Sequence, residues 1–165
     1  LEIENLSLYL NLEKMRFNDR FEYEIEIDDQ LDPEDWMMPT MILQPLIENA
    51  LLHGIMHSKI EGIVTVKFQL QQKDLRIEVI DNGIGIENSK ALKKGSTHKS
   101  RGMELILKRL EALSFFSSER MALEYSVPFN DASNPGNMTT LIVAEDLYYR
   151  WQKVQRELNQ QLSLS

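Results

Sequence analysis

The sequence predicts an α+β fold, a two-layer α/β sandwich in which strands meet as antiparallel neighbours and the helices are segregated to one sheet face. Three observations predict it. Several segments alternate apolar and polar residues at a period of two, the mark of half-buried strands. Two others repeat apolar residues at helical spacing. The length, 165 residues with 42% hydrophobic content, suits a single core of ordinary size.

The elements follow in order. The opening IENLSLYLNLEKMRF (3–17) spaces Leu6, Tyr9, Leu10, Leu12 and Met15 with a loose helical period. FEYEIEI (21–27) alternates cleanly through Phe21, Tyr23, Ile25 and Ile27. A helix is predicted over about residues 40–53, with Gly54 as its C-terminal stop. VTVKFQL (64–70) and LRIEVI (75–80) are the next strands. A second helix over 102–113 places Met103, Ile106, Leu107, Leu110 and Leu113 on one face, and LEYSV (123–127) and TLIV (140–143) complete the sheet. The tail EDLYYRWQKVQRELNQQLSLS (145–165) spaces Leu147, Trp151, Val154, Leu158 and Leu162 as an amphipathic helix, read as docking on its own domain. No internal repeat or low-complexity tract interrupts this order.

Composition limits the function classes. No apolar run approaches the eighteen or so residues of a membrane span, and no leader-like segment opens the chain. The chain starts at Leu1 inside a helix-like pattern and so reads as a piece of something longer. The absence of cysteine removes disulfides and thiolate metal sites and fits a cytoplasmic location. A net charge of -8 argues against nucleic acid as a partner. The exception is SKALKKGSTHKSRGM (89–103), with Lys90, Lys93, Lys94, Lys99 and Arg101 and no acid. Alone it would be a solvated loop.

The stretch before it changes that. DNGIGI (81–86) follows a strand, and Asn-Gly between alternating apolar residues ordinarily signals a hairpin. A hairpin needs a second strand, and none follows: apolar periodicity returns only at Met103. The segment beyond Ile86 is therefore expected to be a long loop, and a long loop inside a compact domain is usually functional. A basic lid suggests an anionic ligand. At the strand end Asp81, an acceptor when ionised, can take a hydrogen bond from an amine such as that of adenine. Gly83 and Gly85 would let backbone approach a ring and hinge the lid. In the preceding helix, Asn49 and His53 are four apart on one face. An Asn oxygen can ligate Mg²⁺. A buried Asn satisfied by backbone, and a His at a helix end favoured by the dipole, are the alternatives.

Together LQPLIENALLHG, DNGIGI and a basic segment leading to SRGMELILKRLEAL resemble the ATP-binding domain shared by gyrase, MutL, heat-shock chaperone and histidine-kinase proteins. Within that superfamily, Gln-Pro-Leu-x-Glu-Asn-Ala-x-x-His-Gly, matched over 44–54 after YLNLEKMRF, is similar to the LytS-type sensor histidine kinases. The resemblance covers about residues 1–144 and implies a Bergerat-type fold with a mixed, mostly antiparallel sheet. It implies ATP and Mg²⁺ as cofactors. Asn49 would hold Mg²⁺, Asp81 would receive the adenine amine, Gly83 and Gly85 would shape the adenine pocket, and His53 would border the nucleotide. Lys99, Ser100 and Gly102 would meet the phosphates at the lid's far end, where amides at a helix start favour anions. Arg109 matches the Arg of the closing motif, with a surface salt bridge as its alternative.

The chain departs from the pattern at Ser100, where a Gly is usual, at Leu105, where an Asn is usual, and near Thr139 and Thr140, which lack an adjacent Gly-Thr. The phosphoaccepting histidine of the family lies upstream, and none of His53, His57 or His98 sits in such a motif. The resemblance therefore implies that residues 1–16 end a dimerisation and phosphoacceptor helix, that 17–144 form the catalytic domain, and that 145–165 are a helical tail. The implied partners are the chain's own upstream phosphoacceptor domain, a response regulator and a second copy in a full-length homodimer, with the parent anchored in a membrane. Hydrolysing relatives carry a Glu four residues before the metal-binding Asn, where it can act as general base. Here that position is Pro45, and Glu48 points about 100° away from Asn49. Poor hydrolysis is expected, with transfer to a histidine as the reaction and Glu48 orienting a metal-bound water or the incoming ring. A nucleotide-binding or dimerisation scaffold that has lost catalysis is the alternative.

Overall fold

The computed structural model describes residues 3–32, 42–92 and 121–145, with the single positions 108, 156 and 160. Among the described residues five strands form one sheet: β1 (Phe21–Ile27), β2 (Gly62–Gln71), β3 (Asp74–Asp81), β4 (Met121–Ser126) and β5 (Asn137–Val143). Their order is β1-β2-β3-β5-β4. The β2–β3, β3–β5 and β5–β4 pairs are antiparallel, and β1 runs parallel to β2. The sheet is thus mixed and mostly antiparallel, as expected, with its one parallel pair at this edge. Residues 28–61 separate β1 from β2 and include a helix, and a parallel pair needs a crossover of that kind.

Alternation works because paired residues share a face. Phe68 pairs with Ile77, Ile77 with Leu141, and Leu141 with Leu123, giving an apolar row across four strands. Ile25, Val66 and Val79 form the next row. Phe68, Ile77 and Leu141 are at most 1% exposed, and each such burial contributes about 1.5–3 kcal/mol. The opposite face carries charge pairs, Lys67 Nζ to Glu26 Oε2 at 2.7 Å and Arg76 Nε to Glu78 Oε1 at 2.8 Å.

Among the described residues two helices pack on the inner face. In α1 (Ile3–Arg16), Leu6 and Leu10 join the core while Leu8, Leu12 and Met15 stay exposed. Helix α2 (Gln44–Asn49) carries Pro45 in its first turn, where the missing N–H costs nothing, and buries Leu46 and Ile47. It passes into a π turn, Ala50–Gly54, and then a 3₁₀ turn, Ile55–His57. Gly54 is thus not the predicted stop: its φ is -93°, outside the left-handed region of a glycine cap.

The predicted structureless lid is also corrected. A helix, α3 (Gly85–Leu92), occupies its first half. Apolar periodicity missed it because the position it buries one turn in is Ser89, 6% exposed, a small polar residue. The tight hairpin lies elsewhere, where Gln72 and Lys73 link β2 to β3 with Gln72 at φ 60°. The predicted helix over 102–113 and the tail beyond 145 fall outside the described residues, apart from helical Lys108, Arg156 and Gln160. Among the described residues no helix is long and apolar enough to cross a membrane.

Candidate functional site

The register that builds the core also places a carboxylate in it. Tyr23 pairs with Val64, Val64 with Asp81, and Asp81 with Asn137, so Asp81 ends the inner face of β3. It is 1% exposed. The Gly83 N–H donates to Oδ1 at 2.9 Å, and the Asn137 backbone N–H donates to the same carboxylate. Burial pushes the carboxyl up to about 7, against the lowering effect of these two amides. A carboxylate so poised gains most from one more donor, because a further N–H stabilises the charge that burial penalises.

Missing side chains define its surroundings. A Cβ on Gly54 would lie 2.3 Å from Asp81 Oδ1, and one on Gly83 would lie 2.2 Å from the Gly54 carbonyl carbon. Only glycine permits this approach. Two bonds lock it: Ile84 N–H to Gly54 O at 3.3 Å and Gly136 N–H to Gly83 O at 2.9 Å. Gly85, with φ 75°, then turns the chain into α3 beside Pro135. Asn82, left without a role by sequence reasoning, holds the loop to the start of β2. Its Oδ1 accepts from Ile63 N–H at 2.7 Å, and its Nδ2 donates to Glu61 O at 3.0 Å.

The π turn explains where Gly54 comes from. Ile55 N–H bonds Ala50 O, a five-residue step, and the wider turn delivers Gly54 against Asp81. It also alters the α-helical stacking that the four-residue spacing of Asn49 and His53 predicts. Glu48, Asn49 and His53 are all partly exposed, unlike the fully buried Leu51 between them. Pro45 is buried, so no carboxylate stands one turn before Asn49. Among the described residues no group of three or more His, Asp or Glu forms a metal cage. A single hard oxygen at Asn49 still suits Mg²⁺, which usually takes few protein ligands and shares the rest with phosphates and water.

The structure thus brings Asp81, Gly83 and Gly85 together with the end of the α2 segment. Lys99, Ser100, Gly102 and Arg109 lie outside the described residues. It also separates two threonines that the sequence leaves equivalent. Thr139 faces inward and is 2% exposed, whereas Thr140 faces the other side and accepts from Arg76 Nη2 at 3.4 Å. Sequence reasoning missed Asn137, which becomes visible only when β5 is registered against Asp81.

No protein-family model matches the chain. Over 123 residues it is 36% identical to the uncharacterized protein YwpD of Bacillus subtilis, covering 73% of this chain and 42% of that one. Over 86 residues it is 37% identical to the sensor protein LytS of Oceanobacillus iheyensis, covering 52% of this chain and 14% of that one. The chain thus spans less than half the length of these curated relatives. Among solved structures, the histidine kinase domain of the blue-light activated histidine kinase of Erythrobacter litoralis superposes with a TM-score of 0.55 at 15% identity, over 87% of this chain and 62% of that one. At that identity the likeness concerns the fold.

Proposed function

Because the chain is a histidine-kinase catalytic domain of the LytS type, we propose that it binds Mg-ATP between the Asn49 end of α2 and the Asp81–Gly83–Gly85 loop. Its reaction is transfer of the γ-phosphoryl to a histidine on an upstream domain. The observation that carries this reading is the buried Asp81 carboxyl, backed by glycine backbone and, among the described residues, receiving main-chain N–H groups of Gly83 and Asn137.

The chain's own residues divide the work. Asp81 accepts from the adenine amine, and the close Gly54–Gly83 contact keeps its carboxylate from rotating away. Asn49 offers one oxygen to the metal, and Mg²⁺ supplies charge neutralisation at the phosphates when bound. His53 borders the nucleotide, and Lys99, Ser100 and Gly102 hold the phosphates at the far end of the basic segment. With Pro45 where hydrolysing relatives carry a base, water is poorly activated. Phosphoryl transfer needs positioning more than covalent help, and Glu48 orients the incoming imidazole. In the full-length protein, residues 1–16 end the dimerisation helix, 17–144 are the catalytic domain and 145–165 the tail. The parent is a membrane-anchored homodimer, and a response regulator receives the phosphoryl group.

Titration of this chain with ATP, with and without Mg²⁺, followed by addition of an acceptor-histidine domain, tests the reading. Mg-dependent binding with almost no turnover until the acceptor arrives supports it. Rapid multi-turnover hydrolysis by the chain alone overturns it, and absence of binding favours a degenerate scaffold.

A further inference from the structure

We infer that the C-terminal segment 145–165 docks as one helix on the outer face of the sheet, along β3 and β5, with Leu147, Trp151, Val154, Leu158 and Leu162 turned toward the strands. The inference is independent of the nucleotide reading. A sheet with one face in water alternates apolar inside and polar outside, and the two margins of this sheet obey that rule. On the outer face β1 presents Glu22, Glu24 and Glu26, and β4 presents Glu124 and Ser126, all exposed. The middle breaks the rule. Outward-facing Ile80 stands opposite Met138, and Ile142 opposite Arg76, and all four are partly buried. Between these two pairs Glu78 stands opposite Thr140, and they are 9% and 2% exposed. Helices α1 and α2 lie on the other face, where Leu6, Leu10, Leu46 and Ile47 join the core. A cover over β3 and β5 accounts for both the apolar residues and the burial. The polar residues under it are paired with each other, Arg76 donating to Glu78 at 2.8 Å and to Thr140 at 3.4 Å, so covering them strands no polar group.

The dimensions fit one helix. Two strands span about 10 Å across, close to the diameter of a helix with its side chains. The seven residues of β5 run about 23 Å, and the apolar stripe from Leu147 to Leu162 runs about 22 Å when helical. The segment also starts at the right place. β5 ends at Val143, and the helical Glu145 donates its N–H to Asp74 Oδ1 at 3.4 Å, beside the β2–β3 hairpin. At about 100° per residue the five apolar positions fall within roughly 80° of arc, and Arg156 and Gln160 fall on the opposite side. Both of these are helical and exposed, as the water side of a docked helix must be. A single helix of this length is marginal alone in water, and packing of its apolar face is what stabilises it.

The chain has no cysteine, so Arg156→Cys accepts a single nitroxide label on the exposed side of the segment, with Gln160→Cys as a second label position. Isoleucine methyl spectra of the full chain, recorded with the nitroxide active and then reduced, read which face the label lies over, and the reduced spectrum reports folding. We expect a several-fold loss of the Ile80 and Ile142 methyl signals, while those of Ile47 and Ile55, buried on the inner side, are retained. Adding Leu158→Glu should return the Ile80 and Ile142 signals to their reduced-state intensity. Selective loss at Ile47 and Ile55, or no loss at either pair, overturns the inference. So does loss in a mixture where the nitroxide and the observed isoleucines are on different chains, because that places the segment on a second copy.

Discussion

Along β3 and β5 one continuous sheet surface has two characters. Leu75, Ile77 and Val79 face Val143, Leu141 and Thr139, and one step further Asp81 faces Asn137. Ile77 and Asp81 are equally buried, at 0% and 1% exposure. Leaving water stabilises the first, whereas for the second it penalises the charged form. The contrast separates residues whose burial holds the fold from a carboxyl that the fold buries against its preference for water.

The largest expected effect breaks the apolar side. Phe68→Ala should lower unfolding free energy by about 3–5 kcal/mol, the cost of lost transfer energy plus a cavity, read by urea denaturation. Nucleotide affinity of the remaining folded protein should change little.

Next comes the polar side, with the opposite sign. The folded-state value of about 7 for Asp81 lies above the ordinary 3.8, so folding favours the protonated form. That contribution is fully present below pH about 4 and is lost as the pH rises through about 7. Asp81→Asn should therefore stabilise the ligand-free chain at pH 8, by on the order of a few kcal/mol relative to its effect at pH 4, while weakening ATP binding. For the unsubstituted chain, ATP affinity should rise between pH 6 and 8, because only the ionised carboxylate offers every lone pair to the amine. A pH-independent affinity would contradict the role given to Asp81.

Gly83→Ala probes the contact behind the site. Its Cβ would meet Gly54 backbone at 2.2 Å, and backbone cannot step aside as a side chain can. A loss of about 1–3 kcal/mol in stability is expected, with ATP affinity falling as well. Normal affinity would show that the loop tolerates a shift. The smallest effect belongs to the outer face: Lys67→Ala removes a partly exposed ion pair with Glu26 and should cost less than about 1 kcal/mol, declining further in salt.

Much of this was legible in the residues. FEYEIEI reads as β1 end to end, and VTVKFQL and LRIEVI lie inside β2 and β3, because an alternating pattern states both the period and the buried face. That β3 ends at Asp81 without running into a hairpin was visible as a strand that stops with no partner strand following. Helix α3 was not, since Ser89 fills an interior position with no apolar signal. Gly54 was read as a helix stop when its role is to lack a side chain against Asp81. That depends on an atom 27 positions away in sequence.

The sequence by itself determined the strands, the face each buries, the Asp-x-Gly-x-Gly loop and the family whose motifs it matches. Only the tertiary structure decided that β1 runs parallel to β2, that Thr139 and not Thr140 shares a face with Asp81, and that Asn137 stands beside it. The physical reason is that periodicity is a property of one segment, while register is a property of two. Which residue lies across from Asp81 is set by backbone pairing between strands far apart in the chain, and no pattern inside either strand encodes it.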